Sequence, residues 1–231
     1  MHLRCALFLA AAVSASWGAT LPEASAAAKY SVRTAKSEPP KELAAPLAKL
    51  LDDNAIHFLD EEGARIAEIW LRREIPAQAT PEQVKNGLTY REFEEGTLFG
   101  VLRVEREMRD YRRQRVRPGL YTMRLGFQPM DGDHMGTAPH GEFFLLAPAG
   151  LDKDPAPVEV KELRERSNQA AKTSHPAVLL LFPNPKPLAV PQLTSRENEH
   201  WVLNFQTHVK AGGENTVLGV GLTLVGHSPT E

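Results

Sequence analysis

The stretch from Val116 to Ala147 limits the choice of fold more than any other part of the chain. Pro118 has a fixed φ and Gly119 tolerates a positive one, the pair that a type II turn takes at its centre, so a strand is expected to begin directly after it. From Leu120 to Gln128 the side chains alternate. Tyr121, Met123, Leu125 and Phe127 share one face and Thr122, Arg124 and Gln128 the other, which is the period of a half-buried antiparallel strand. Between Glu142 and Ala147 both faces are apolar through Phe143, Phe144, Leu145 and Leu146, which predicts a central strand covered on both sides.

Other segments carry similar patterns. Leu43, Leu47, Leu50 and Leu51 have helical spacing across Lys41 to Asp53, interrupted by Pro46, and predict a short helix there. Ile56 to Asp60 and Arg65 to Arg73 flank Glu61-Glu62-Gly63 and read as a hairpin anchored by Trp70. Pro76 to Lys85 reads as loop and Thr97 to Val104 as a strand. Val160, Leu163, Ser167, Ala170 and Ala171 form one face of a surface helix over 158–172. An apolar strand from Ala177 to Phe182 follows, then a proline-held irregular segment to Pro191. Trp201 to His208 and Thr216 to Val225 alternate on either side of Gly212-Gly213 and predict a closing hairpin. Roughly seven or eight strands with one or two peripheral helices indicate a mainly β chain, folded as an antiparallel β-sandwich, with a barrel as the alternative closure.

Residues 1–28 have the layout of a secretory signal peptide: His2 and Arg4, an apolar run from Cys5 to Val13, and the small-residue pattern Ala24-Ser25-Ala26. The run is short for a membrane span, so a periplasmic or secreted protein with no stable span after cleavage is expected, an uncleaved anchor being the alternative. Residues 29–40 are polar, end in Pro39-Pro40 and read as a flexible lead-in, which leaves 41–231 as a single domain. Cys5 is the only cysteine and falls in the leader. The mature chain then has no disulfide, thiol nucleophile or thiolate metal ligand. A net charge of −2 gives no sign of a nucleic-acid partner.

Four segments carry a resemblance: E-I-W-L-R-R-E-I-P (Glu68 to Pro76), E-G-T-L-F-G-V-L-R (Glu95 to Arg103), Pro118 to Gly136 with its P-G-x-Y-T-x-R and D-G-D-H-M-G elements, and H-W-V-L-N-F (His200 to Phe205). Together they resemble a family of exported bacterial proteins of unknown function. The P-G-x-Y-T-M-R element is also similar to the turn and strand of transthyretin-like β-sandwich modules. The resemblance implies export and a β-sandwich, and it brings no catalytic residues.

Chemistry must therefore come from the residues themselves. Asp131, Asp133, His134, Met135 and His140 gather two carboxylates, two imidazoles and a thioether on one loop. Such a set would suit calcium, copper or zinc, while the simpler alternative has Asp131 and Asp133 capping a turn. No other cofactor is implied. Seven arginines between Arg103 and Arg117 face only Glu105, Glu107 and Asp110. Arg112, Arg113 and Arg115 are thus candidates for contact with an anionic polymer, against a plain solvated connection with Tyr111 tucked beneath. Trp201 is the candidate aromatic contact. No G-x-S-x-G, H-E-x-x-H, P-loop or G-x-G-x-x-G motif occurs, and the adjacent pairs Glu94-Glu95 and Asp52-Asp53 point apart. The chain reads as a non-catalytic exported protein that binds an envelope protein or a glycan, with a periplasmic metal-binding protein using the 131–140 loop as the alternative.

Overall fold

The computed structural model describes residues 29–132, 134 and 136–228. The expected signal peptide, Asp133 and Met135 lie outside the described residues. In chain order the elements are β1 (Tyr30–Lys36), α1 (Ala45–Ala48), β2 (Leu51–Asp60), β3 (Arg65–Arg72), β4 (Ile75–Ala77), α2 (Pro81–Asn86) and β5 (Leu98–Val104). They continue with β6 (Met108–Arg109), β7 (Arg115–Val116), β8 (Gly119–Phe127), β9 (Glu142–Pro148), α3 (Val160–Ala171), β10 (Val178–Pro183), β11 (Gln192–Arg196), β12 (His200–Ala211) and β13 (Glu214–Val225).

The chain is mainly β with few helices, but its long strands join in one ladder rather than in the two separate sheets of a sandwich. Their order is β1-β2-β3-β5-β8-β9-β10-β13-β12-β11, and the ladder curls into a half-barrel. β6 and β7 form a small ribbon of their own. Curling follows from where the chain bends. After β3 it turns at Arg73-Glu74 and continues as β4, which pairs parallel with Val209 to Ala211 of β12, near the far edge of the same ladder. At the other end Tyr30 of β1 meets Trp201 of β12 edge-on, ring centroids 5.3 Å apart. The β12–β13 hairpin turns through Gly212 and Gly213, both at positive φ, because a two-residue loop that matches strand twist needs left-handed backbone at both positions.

Several expectations shift on this frame. Residues 30–36 of the expected lead-in form a strand that pairs with β2 from Asp60 to Asn54. Ser37 then donates its hydroxyl to Glu68 at 2.6 Å and accepts from Trp70 Nε1 at 2.9 Å, and His57 Nε2 lies 3.1 Å from the same carboxylate. Polar edge strands carry little hydrophobic pattern, which hid β1. The helix expected over 41–53 shrinks to α1, since Leu51 already belongs to β2. Within the expected loop 76–85, Pro81 starts α2 behind a Thr80 cap.

The inner face of the ladder packs Phe58, Ile69, Leu102, Met123, Phe144, Leu203, Phe205 and Leu222 into one core. Two patches of the outer face are covered as well. Leu43 and Leu47 lie over Trp70, Leu98 and Val101, and Leu163 of α3 packs with Phe143, Leu145 and Leu180. Central β9 is therefore apolar on both faces, as its sequence indicates.

Arg124 breaks the simple in-and-out reading of β8, because it is fully buried although it lies on the strand's outer face. Its Nε donates to Asp152 Oδ2 at 2.6 Å and its Nη2 to Asp152 Oδ1 at 2.9 Å. Nη1 donates to the carbonyls of Gly96 and Ala156 at 2.7 and 2.8 Å, and Nη2 also to that of Asp154. Asp152, equally buried, accepts further from the Thr122 hydroxyl and from Arg166 Nη1 at 2.9 Å. This pair fastens the segment entering α3 to the middle of the sheet. Removing one partner leaves a buried charge without its counterion, which costs about 3–5 kcal/mol. Asp152→Ala is expected to lower unfolding free energy by that amount in urea titration, whereas Arg166→Ala, on the solvent side of the pair, lowers it by about 1 kcal/mol or less.

Candidate functional site

Outward-facing Phe143 and Leu145 of β9 and Val178 of β10 need cover, and α3 supplies it only on one side. The other side is closed by the loop 128–141 and by Tyr111. Between them lies a cavity of about 290 Å³. Its floor is Tyr111, Phe143, Leu145 and Val178, each more than nine-tenths buried. Arg164 of α3, His175, Glu95, Arg112, Asp131 and His134 stand around the rim.

The rim is held by hydrogen bonds. Gln128 N–H donates to the Gly141 carbonyl at 2.7 Å and closes the loop. The Gln128 amide donates to Thr137 Oγ1 at 2.8 Å and to the His134 carbonyl. Asp131 Oδ1 accepts the His134 N–H at 3.1 Å and lies 2.6 Å from His134 Nδ1. Ser228 ties the third wall in place, with its N–H on the Tyr111 carbonyl at 2.8 Å and its hydroxyl on the Thr137 carbonyl at 2.7 Å. Beneath the arginine-rich turn, buried Asp110 accepts N–H bonds from Arg112, Gln114 and Val178 at 3.0, 2.8 and 3.0 Å, and one from the Gln114 amide at 2.9 Å. Burial pushes its carboxyl above the ordinary range, and these bonds oppose the shift.

The candidates read from the sequence separate here. Arg112, Asp131 and His134 come together at the pocket. Asp131 does cap a turn, as the simpler alternative had it. His140 is not part of the lining; it packs edge-on against Phe182 at 5.0 Å, and burial pushes its imidazole below the ordinary value. Among the described residues no three His, Cys, Asp or Glu side chains converge on a point that could hold a metal ion. Asp133 and Met135 lie outside those residues. Trp201 is half-buried in the seam against Tyr30 rather than displayed as a platform. Arg115 pairs with Glu107 at 2.9 Å, and Arg113 borders a different hollow beside Tyr30 and His227. Arg103 and Arg106 pair with Glu42 and Asp60. Three arginines of the run are thus ion-paired within the protein, and Tyr111 is buried.

Phe143, Leu145, Val178, Arg164 and His175 were not singled out from the sequence as site residues. The signal was partly there: a strand apolar on both faces demands cover outside, and a thin helix stripe supplies only part of it.

A broader groove of about 680 Å³ adjoins the pocket across Tyr111 and Thr137 and is bordered by Phe182, Arg196 and His200. His200 Nδ1 donates to the Glu197 carbonyl at 2.9 Å, and its buried Nε2 has no partner among the described residues. Gly226, at φ +122°, lies against this ring, and a Cβ there would come 2.3 Å from His200 Cδ2. Gly226→Ala should therefore displace the ring or the chain and lose about 1–3 kcal/mol. Thermal unfolding reads the loss, and the His200 ring resonances should shift with it.

Among known protein families, curated proteins and solved structures, none matches this chain.

Proposed function

We propose that this is an exported, non-catalytic binding protein that holds one small, largely apolar ligand in the pocket between α3 and the 128–141 loop. The observation that carries the proposal is the pocket floor. Its apolar side chains belong to a tightly packed cluster, yet they border a cavity whose rim is already pinned by Gln128, Asp131 and Ser228. A pre-formed apolar hollow with a few polar groups at its edge is the usual form of a small-molecule site, and its prior order lowers the entropy lost on binding. Its size suits a compact ligand. The His134 ring meets Asp131 and no hydroxyl among the described residues, so the rim groups favour holding over nucleophilic chemistry. Export rests on the leader-like residues 1–28. A glycan or an envelope protein remains a partner for the outer surface, where Met130 at the loop tip is 89% exposed.

Metal binding is the second proposal, and one contact favours it. An Asp on one ring nitrogen of a His is the arrangement that orients a metal-ligating imidazole, and Asp131 with His134 has it. Elemental analysis after exposure to copper, zinc and calcium tests it: stoichiometric metal lost in His134→Ala would support it, and no bound metal would remove it.

For the pocket, Ala138→Trp places an indole at the half-buried wall of the cavity. Small aromatic compounds that raise the melting temperature of the wild-type protein are expected to bind the variant at least about tenfold more weakly, a loss of roughly 1.4 kcal/mol. Equal binding to both proteins would place the ligand elsewhere.

A further inference from the structure

We infer that the pocket selects a compact monoanion, a carboxylate on a small apolar body, and that Arg164 is the residue that recognises its charge. The inference rests on the pocket being the ligand site and asks what that site prefers. Among the described residues the charged groups around it are Glu95, Asp131, Arg112 and Arg164, with His134 and His175 beside them. Most have work within the fold. Glu95 Oε1 accepts the Phe127 N–H at 3.0 Å. Asp131 is taken up by His134. Arg112 is engaged within the protein. Arg164 differs: it is half-buried, borders the cavity, and makes no direct hydrogen bond or ion pair among the described residues, its charge acting only at longer range on exposed Glu159.

A guanidinium that borders a cavity without a direct acceptor is poised for a ligand's acceptor. A planar carboxylate matches its fork with two parallel hydrogen bonds. One uncommitted cation balances one negative charge, while Glu95 and Asp131 across the rim disfavour a second. Phe143, Leu145 and Val178 make the floor mostly apolar, so the body of the ligand is apolar. A cavity of about 290 Å³ keeps it small.

Benzoate and benzamide test this, because they share shape and differ in charge. Titration of the full chain is followed by NMR at Phe143 and Leu145, for wild type, Arg164→Gln and Lys161→Gln. Lys161 is an exposed cation on the same helix outside the pocket. Wild type is expected to bind benzoate at least about tenfold more tightly than benzamide, as a charge-assisted bond implies. Arg164→Gln should make the two equal without weakening benzamide, and Lys161→Gln should keep the preference. Equal affinities in wild type, or a preference that survives Arg164→Gln, would overturn the assignment to Arg164 while leaving the pocket. Binding of neither probe at Phe143 and Leu145 would overturn both.

Discussion

The buried pair of Arg124 and Asp152 is the contact on which the outer face of this molecule depends. An arginine in the middle of a sheet is tolerated only if every N–H finds an acceptor, and here the carboxylate and three carbonyls of Gly96, Asp154 and Ala156 provide them. Those acceptors come from segments that would otherwise be loops. By holding them, the pair fixes where the chain leaves β9 and where α3 begins, and α3 is the wall that makes a pocket out of an apolar sheet face.

The pocket is thus a consequence of incomplete cover. β9 and the neighbouring part of β10 present Phe143, Leu145 and Val178 outward, and a helix with a thin apolar stripe cannot shield all of them. The histidine loop and Ser228 close the remaining side largely through hydrogen bonds. Packing would have filled the space, whereas hydrogen-bonded rims leave it open. Tyr111 stands at the centre of this arrangement, between the pocket and the groove beside His200.

Much of the β pattern was legible because alternation is a local property. Tyr121, Met123 and Leu125 face the inner core as their spacing indicates, and the hairpins at Gly63 and at Gly212-Gly213 form where turn chemistry places them. The loop from Asp131 onward was legible as a dense cluster of polar groups, and two of its described members do reach the site. Arg164, His175 and Val178 were not legible as site residues, since nothing in a helix stripe or a short apolar strand says what stands opposite. Trp201 shows the same limit: an aromatic residue on an alternating strand looks alike whether it meets solvent alone or, as here, also the ring of Tyr30.

The amino-acid sequence by itself determined a mainly β chain, the places of its strong strands and of α3, and a charged loop between β8 and β9, because periodicity, turn residues and apolar runs act over a few neighbours. Tertiary structure alone decided that the strands join in one curled ladder, that Arg124 is buried, and that Arg164 and the 128–141 loop stand around the same cavity. Those outcomes depend on contacts between segments far apart in the chain, where the balance of burial and hydrogen-bond satisfaction is set only once the partners have met.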